Sequence, residues 1–538
     1  MKPILNLAYP LTLMVMFTLS SDIYTQQISQ ANGQNLNGYE EPYDLYQKEL
    51  KPFYHGVASG DPLQDRVILW TRVTPTNPNA KVEVKWEISL QEDFSSLVRS
   101  GTLIASSEKD FTVKEDVTGL EAGTSYFYRF EALGKYSQIG RTKTLPRGDV
   151  DQVKLLIATC SNYEGGYYNA YKEMAKREAD AVVHLGDYIY EYEPGHYAQK
   201  HLQKAGRTHR PKQEIISLSD YRQRYSLYRT DSMLQMVHAA HPFINIWDDH
   251  ETANNSHMTG AENHQPEKEG EWEQRKAVAQ QAYFEWLPIR DHEEKNIYRS
   301  FQFGDLLSLI MVDTRIIGRS EQVENSFSEA YLDESRSILG QEQENWLKSE
   351  LTKNTQWKVI GNQVMVSPMD VSFFKFLGFR IPFYPGKVKN MDQWDGYPIA
   401  RDRVLDYLQE EKVDNVIFLT GDDHASYAYD VVREKNWEAY KEGREAEAVE
   451  LVTPSISSAN FDEYLPKFYL NKLRRKFPQK NPHLKWFNLT EHGYISLDIS
   501  KEASVANWNF VDTIDEVKEG ARVAKTLTIK NKITKLNE

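Results

Sequence analysis

Cysteine is almost missing from this chain: Cys160 is the single thiol in 538 residues. One thiol excludes a disulfide framework, a multi-thiolate zinc site and an iron–sulfur cluster. Positive charge is also short. Lys and Arg number 64 against 78 Asp and Glu, a formal net charge of −14. That balance argues against a nucleic-acid backbone as the default partner. It also means that an anionic ligand must be held by local positive charge, bound metal included. Long apolar runs are lacking with one exception. After Lys2 comes an almost uncharged stretch, Pro3 to Ser21, whose apolar heart is Leu11 to Leu19. It reads as a secretory signal peptide, with an uncleaved anchor or a buried N-terminal helix as rival readings. No cysteine follows the run, which excludes a bacterial lipid anchor. No second run of this kind occurs, so the mature chain is expected to carry no transmembrane span and to reside in the periplasm or outside the cell. Stability there has to come from the core and bound metals rather than from disulfides.

What the chain does have is apolar mass, 40% of residues with 12% aromatic, which is ample for a packed core. Behind the signal peptide (1–25) lies a polar, extended lead-in (26–51). From 52 to 147 short alternating runs such as Val82 to Ile88 and Tyr126 to Phe130 are separated by turns such as Gly60-Asp61-Pro62. About seven short strands in this span predict a small immunoglobulin- or fibronectin-like β-sandwich. From 150 to 515 the texture is different. Continuous apolar runs (Val153 to Ile157, Ala181 to Leu185, Phe243 to Trp247, Leu306 to Val312, Val359 to Val364, Val416 to Leu419) alternate with helical spacing over Tyr168 to Arg177, Trp272 to Trp286, Gln341 to Leu351 and Ala400 to Glu410. Buried strands alternating with amphipathic helices predict an α/β, or layered α+β, domain. Further strands are expected at Glu450 to Val452, Tyr494 to Leu497 and Val505 to Phe510. The charged tail, 516–538, has no assigned place, and there is no internal repeat.

Polar clusters follow four of these strands at their C-terminal ends, where α/β folds place their sites. They are Cys160-Ser161-Asn162, then Gly186-Asp187-Tyr188-Ile189-Tyr190-Glu191, then Asp248-Asp249-His250-Glu251, then Gly421-Asp422-Asp423-His424. Each alone has an ordinary explanation: a strand-terminal Asp is commonly a turn or helix cap, a lone Cys a small hydrophobe, a Tyr in an aromatic run a packing residue. Four successive strand ends rich in O, N and S donors point instead to a metal site.

In this order the clusters resemble the calcineurin-like metallophosphoesterases. With Gly56-Val57-Ala58-Ser59-Gly60-Asp61-Pro62, Trp70-Thr71-Arg72, the Leu339-Gly340 segment running to Trp346-Leu347, and Trp394-Asp395-Gly396-Tyr397-Pro398, they resemble the PhoD-like alkaline phosphatase family over about Phe53 to Asp512. The resemblance implies a metallophosphoesterase-type β-sandwich flanked by helices, preceded by the small N-terminal sandwich. It places Asp187 between two metals. Cys160, Tyr190 and His424 would complete one subsite. This thiolate, phenolate, carboxylate and imidazole set suits Fe3+, with Zn2+ as the fallback. Asp187, Asp249 and Asp422, with Asn362 or Gln363 as a fourth ligand, would form the other; hard oxygen donors favour Ca2+, or Mg2+ or Mn2+. The family's iron(III)–calcium pair agrees. A further calcium of the family would lie near Asn162 or Asp248.

The implied reaction is metal-activated attack of water or oxide on a phosphate mono- or diester, held between cations about 3.5–4 Å apart. His250 would assist the leaving group. Arg315 either clamps phosphate oxygens or braces an Asp. His196, His201 and His209 fall in a loop that could rim the site. The substrates expected are small-molecule or lipid phosphate esters, and the chain is expected to be a monomer. Two other readings stand beside this one: a phospholipase D-like or cell-wall-polymer phosphodiesterase of the same fold, for which the aromatic segment Phe373 to Phe379 is suggestive, and a non-catalytic surface binding protein. The intact donors Asp187, Asp249, His250, Asp422 and His424 count against the last.

Overall fold

A computed structural model describes residues 38–197, 206–291, 296–370 and 389–538. The signal peptide, His201 and the aromatic segment 373–379 therefore lie outside the described residues.

The N-terminal part carries β1 (Val57–Gly60), β2 (Arg66–Arg72), β3 (Val82–Ser89), β4 (Leu97–Ala105), β5 (Thr112–Thr118), β6 (Ser125–Ala132), β7 (Lys135–Tyr136) and β8 (Gly140–Lys143). β4-β3-β6-β7, with β8 on β6, make a five-stranded sheet. β1, β2 and β5 face it. Val67 and Leu69 of β2 join Val84, Trp86, Tyr128 and Phe130 of the opposite sheet in one core. Trp70, on the other face of the same strand, belongs to the core of the larger C-terminal part, as the two-residue period of a strand requires.

The larger C-terminal part begins with β9 (Gln152–Ala158), β10 (Ala181–His184) and β11 (Pro242–Asn245), which are mutually parallel. β12 (Arg299–Phe303), β13 (Leu307–Met311), β14 (Trp357–Gly361), β15 (Val416–Thr420), β16 (Ser426–Val431), β17 (Ala448–Val452) and β18 (Leu484–Asn488) form a second, seven-stranded sheet. The last strands are β19 (Gly493–Ser500), β20 (Ala503–Val511), β21 (Ala521–Lys530) and β22 (Leu536–Asn537). The charged tail is thus an edge of a sheet: β21 pairs with β20 along its length.

One pairing joins the two predicted domains. β1 runs parallel to β11, so one sheet of the small sandwich continues into that of the larger part, in the order β22-β21-β20-β19-β9-β10-β11-β1-β2-β5. The ten-stranded and seven-stranded sheets stack face to face. Leu155, Val183 and Ile244 from one meet Leu309, Val359 and Leu419 from the other in the largest core.

Helices cover the outer faces: α1 (Asn169–Ala175), α2 (Leu218–Arg229), α3 (Ser232–Ala240), α4 (Trp272–Trp286), α5 (Gln341–Leu351), α6 (Pro398–Glu410), the short α7 (Phe461–Tyr464) and α8 (Lys467–Lys480). Their starts follow local chemistry. Ser217 and Asp220 form a capping box at α2, the Asp231 carboxylate accepts the first N–H groups of α3, and Pro398 occupies the first turn of α6. α5 and α6 bury Leu347, Leu351, Val404 and Leu408 against Ile310, Ile360 and Phe418.

Candidate metal centre

The four polar clusters converge where β9, β10, β11 and β15 end. The loops are laced together before any side chain is considered. Cys160 N donates to Gly186 O (3.1 Å), and Ser161 N to Asp187 O (2.8 Å). Gly186 has φ of 106°, and a Cβ there would lie 2.4 Å from the Asp248 backbone N, so the second and third loops touch at a point that admits only glycine. Cys160, Asp187, Asp422 and His424 all adopt left-handed backbone, with φ of 57–65°. Each such residue costs on the order of 1 kcal/mol. Four of the predicted donors are held this way, which is how the loops aim them inward.

One cluster gathers Cys160, Asp187 and His424, with donor atoms within 4.8 Å of one another. Tyr190 lies in it: its Oη donates to Asp187 Oδ2 at 3.0 Å and is 3.1 Å from His424 Nε2. A second gathers Asp248, Asp249 and Asp422, and a third Asp187, Asp249 and His250, on the same 4.8 Å criterion. Asp187 therefore joins the thiol side to the carboxylate side. Buried carboxylate oxygens on Asp187 (Oδ1), Asp248 (Oδ2) and Asp249 (Oδ1) have no hydrogen-bond partner. A buried anionic oxygen with nothing to accept from is costly unless a cation completes it, so these residues fit a metal.

The electrostatics point the same way. Burial drives Asp249 up to about 6, against the pull of Arg315 and His250. Burial also pushes Asp248 and Asp422 above the usual carboxylate range, with Asp187 adding to both. Cys160 and Tyr190 are raised by burial and by the Asp187 charge. Asp187 goes the other way: burial opposes ionisation, but His250 and His424 hold it at about 2. The centre carries more negative charge than its own cations offset, and added positive charge would restore both thiolate and phenolate.

Of the remaining predicted residues, Asp248 and Arg315 are present but bound to each other. The Arg315 guanidinium donates to Asp248, to both oxygens of Asp392 (3.0 and 2.8 Å) and to Asp422 Oδ1 (2.7 Å). In this arrangement Arg315 acts as a brace between carboxylates. Asn362 and Gln363 are turned away from the centre. Asn362 Nδ2 donates to Val364 O and Thr420 Oγ1 while its Oδ1 accepts from Trp394. Gln363 is engaged with Thr314 and Val312. Instead Gln393 Nε2 reaches Asp422 Oδ2 at 2.5 Å. Asn162 is buried with an unpartnered Nδ2, and its Oδ1 accepts from Glu164 N. His209 is buried against Tyr228 and Glu164, and His196 stacks on Tyr192 with ring centroids 4.2 Å apart.

Three carboxylates that the motifs leave without a role turn out to support the centre. Glu191 Oε2 lies 2.7 Å from His250 Nδ1, and its Oε1 accepts from Asn254 N and Asn263 Nδ2. Burial opposes the charged imidazolium of His250, yet Glu191, Asp249 and Asp187 push its pKa well above the ordinary value. Glu251 accepts the backbone N–H groups of Asp187 (3.1 Å), Tyr188 (2.6 Å) and Asp248 (2.8 Å), clamping two ligand loops. Asp392 anchors Arg315 and Arg319. Above them opens a cavity of about 640 Å³ lined by Asp187, Asp249, His250, Asp392, Asp422 and His424.

The family model of PhoD-like phosphatases matches residues 155–508, and that of the PhoD-like N-terminal domain matches residues 41–146. The chain belongs to the PhoD-like phosphatase family. It is 37% identical to alkaline phosphatase D of Bacillus subtilis over 496 residues, which cover 86% of this chain and 78% of that one. The solved structure of PhoD superposes with a TM-score of 0.81 at 34% identity, covering 91% of this chain and 92% of the other. The fold expected from the PhoD-like resemblance is the one found, and membership makes the chain a phosphoester hydrolase. No described helix is long and apolar enough to cross a membrane.

Proposed function

We propose that the chain is an exported alkaline-phosphatase-D-type enzyme that hydrolyses phosphate mono- and diesters at a two-metal centre bridged by Asp187. The observation that carries this is the overlap of donor clusters at Asp187, with unpartnered buried oxygens on the carboxylates around it. Cys160, Tyr190, Asp187 and His424 would hold Fe3+; Asp187, Asp249 and Asp422 would hold Ca2+. Bound there, the cations supply Lewis acidity to the phosphoryl group and acidify the attacking water.

The protein's own groups do the rest. Glu191 holds His250 by Nδ1, leaves Nε2 for the leaving oxygen and keeps the ring protonated. His250 lines the cavity and donates its proton to the departing alkoxide. Arg315 keeps Asp248, Asp392 and Asp422 in register, and Glu251 fixes the backbone beneath Asp187. With a net charge of −14 the protein repels phosphate esters at long range, so capture falls to the cations. Prolonged chelation, with loss of iron and calcium verified by elemental analysis, should abolish hydrolysis of bis-p-nitrophenyl phosphate and p-nitrophenyl phosphate. Full turnover by metal-stripped protein refutes the reading.

A further inference from the structure

The cavity is acidic on its floor and apolar on one wall, formed by Phe461, Tyr464 and Leu465 at α7. α8 follows directly. Leu470, Leu473 and Phe477 turn inward to a core shared with Tyr427 and Tyr429. The outward surface is basic: Lys467, Lys472, Arg474, Arg475, Lys476 and Lys480 stand within fourteen residues that contain no acid. Among the described residues no carboxylate forms an ion pair with any of these six cations, whereas Lys441 and Lys485 on either side are paired. Two large apolar side chains stand out in the same stretch, Tyr464 at 60% and Phe468 at 62% exposure. Lys472 Nζ lies 4.3 Å from the Phe468 ring centroid.

In a chain of net charge −14, six cations without carboxylate partners beside two exposed aromatics form a surface unlike the rest. The fold's contacts use the opposite face of α8, and of these side chains only Tyr464 is tied back, by a hydrogen bond to Tyr197. Their combination matches an interfacial helix: cations for phosphate headgroups, rings for the boundary between headgroup and acyl chain. We propose that α8 and the Tyr464–Phe468 rim dock the protein on an anionic phospholipid surface, with the mouth of the cavity at that surface. A soluble polyanion would use the cations and leave Phe468 idle, so the exposed ring decides for lipid. One consequence rests on the phosphoesterase reading above: esters at the lipid surface reach the metal-binding floor along the Phe461–Tyr464 wall, sheltered from the protein's repulsive field.

The test is vesicle flotation with the metal-loaded mature chain, without the signal peptide, after removal of free metal. Vesicles of phosphatidylcholine alone are compared with phosphatidylcholine–phosphatidylglycerol vesicles at low and high salt. The protein should float with the anionic vesicles only, and less at high salt. The triple variant Lys472→Glu/Arg475→Glu/Lys476→Glu should lower partitioning on the order of 100-fold or more, and Phe468→Ser roughly tenfold. Both should retain wild-type turnover of bis-p-nitrophenyl phosphate, which confirms their fold. Equal binding to both vesicle types, or wild-type flotation by the triple variant, overturns the proposal. So does binding to soluble polyphosphate that matches the vesicle affinity and ignores Phe468→Ser. Flotation is read without turnover: an inactive wild-type enzyme that still floats defeats the catalytic reading and leaves docking standing.

Discussion

Replacing Glu191 by Gln removes a negative charge 2.7 Å from His250 Nδ1 and keeps a hydrogen-bonding group of similar size. A carboxylate in contact with an imidazolium raises its pKa by roughly 1–3 units, or about 1.4–4 kcal/mol. With Asp249 and Asp187 engaged on the cations, Glu191 is the carboxylate left to favour the charged ring, and the variant should lose that share. The sign follows from the role. A general acid works protonated, so activity is present below its pKa and lost as pH rises through it. The alkaline limb of the Glu191→Gln profile should therefore move to lower pH by roughly 1–3 units. Leaving groups sharpen the test. p-Nitrophenolate departs without a proton, whereas an alkoxide needs one. His250→Ala should cost roughly 10²–10⁴ in kcat on an alkyl phosphate ester and far less on bis-p-nitrophenyl phosphate. The assay is the pH dependence of kcat for wild type and both variants on the two substrates, with metal content measured in parallel. An equal loss on both substrates, or an unmoved limb in metal-replete Glu191→Gln, removes His250 from the acid role.

Arg315→Met leaves the buried Asp248 and the half-buried Asp392 and Asp422 without their shared cation, and should destabilise chelator-treated protein by about 3–5 kcal/mol in denaturant unfolding; a loss under about 1 kcal/mol contradicts the brace. If iron is bound by Cys160 and Tyr190, the purified enzyme should show a visible charge-transfer band that Cys160→Ala shifts or bleaches; an unchanged spectrum in that variant excludes thiolate ligation. His241 is buried and its pKa is pushed down to about 4 from 6.5. Its contribution is complete above the ordinary histidine pKa and is lost as pH falls toward the folded value, by at most about 3 kcal/mol. In chelator-treated protein, His241→Gln should flatten the decline of Tm over that acid range.

The parts of the structure that were legible from sequence are those with a local cause. α4 and α5 span the predicted Trp272–Trp286 and Gln341–Leu351, because the helical spacing of buried positions is set within one segment. The donors Cys160, Asp187, Asp249, Asp422 and His424 could be read as a set because each ends an apolar strand. What escaped depends on long-range pairing. Nothing near Val57 announces that β1 will lie beside β11 and fuse two sheets that read as separate domains. The tail from 516 reads as charged surface because β21, flanked on its outer side only by the two-residue β22, turns a polar face to solvent. Asn362 and Gln363 end a strand as the clustered donors do, but their amides turn to Val364 and Thr314, a choice made by side-chain rotation that a strand-end rule does not see. Glu251 and Asp392 act on partners far away in the chain, Asp187 and Arg315, so their work is visible only once the loops have met.

The order of strands also governs when the molecule can be finished. β9, the strand leading to Cys160, pairs on one side with β10 and on the other with β19, which begins at Gly493. During synthesis that second edge stays bare until nearly the whole chain has emerged. A bare edge next to apolar side chains invites pairing with another molecule. The enzyme's vulnerable species is therefore a nascent chain short of residue 493, and a polypeptide interrupted there should aggregate where the full-length product folds.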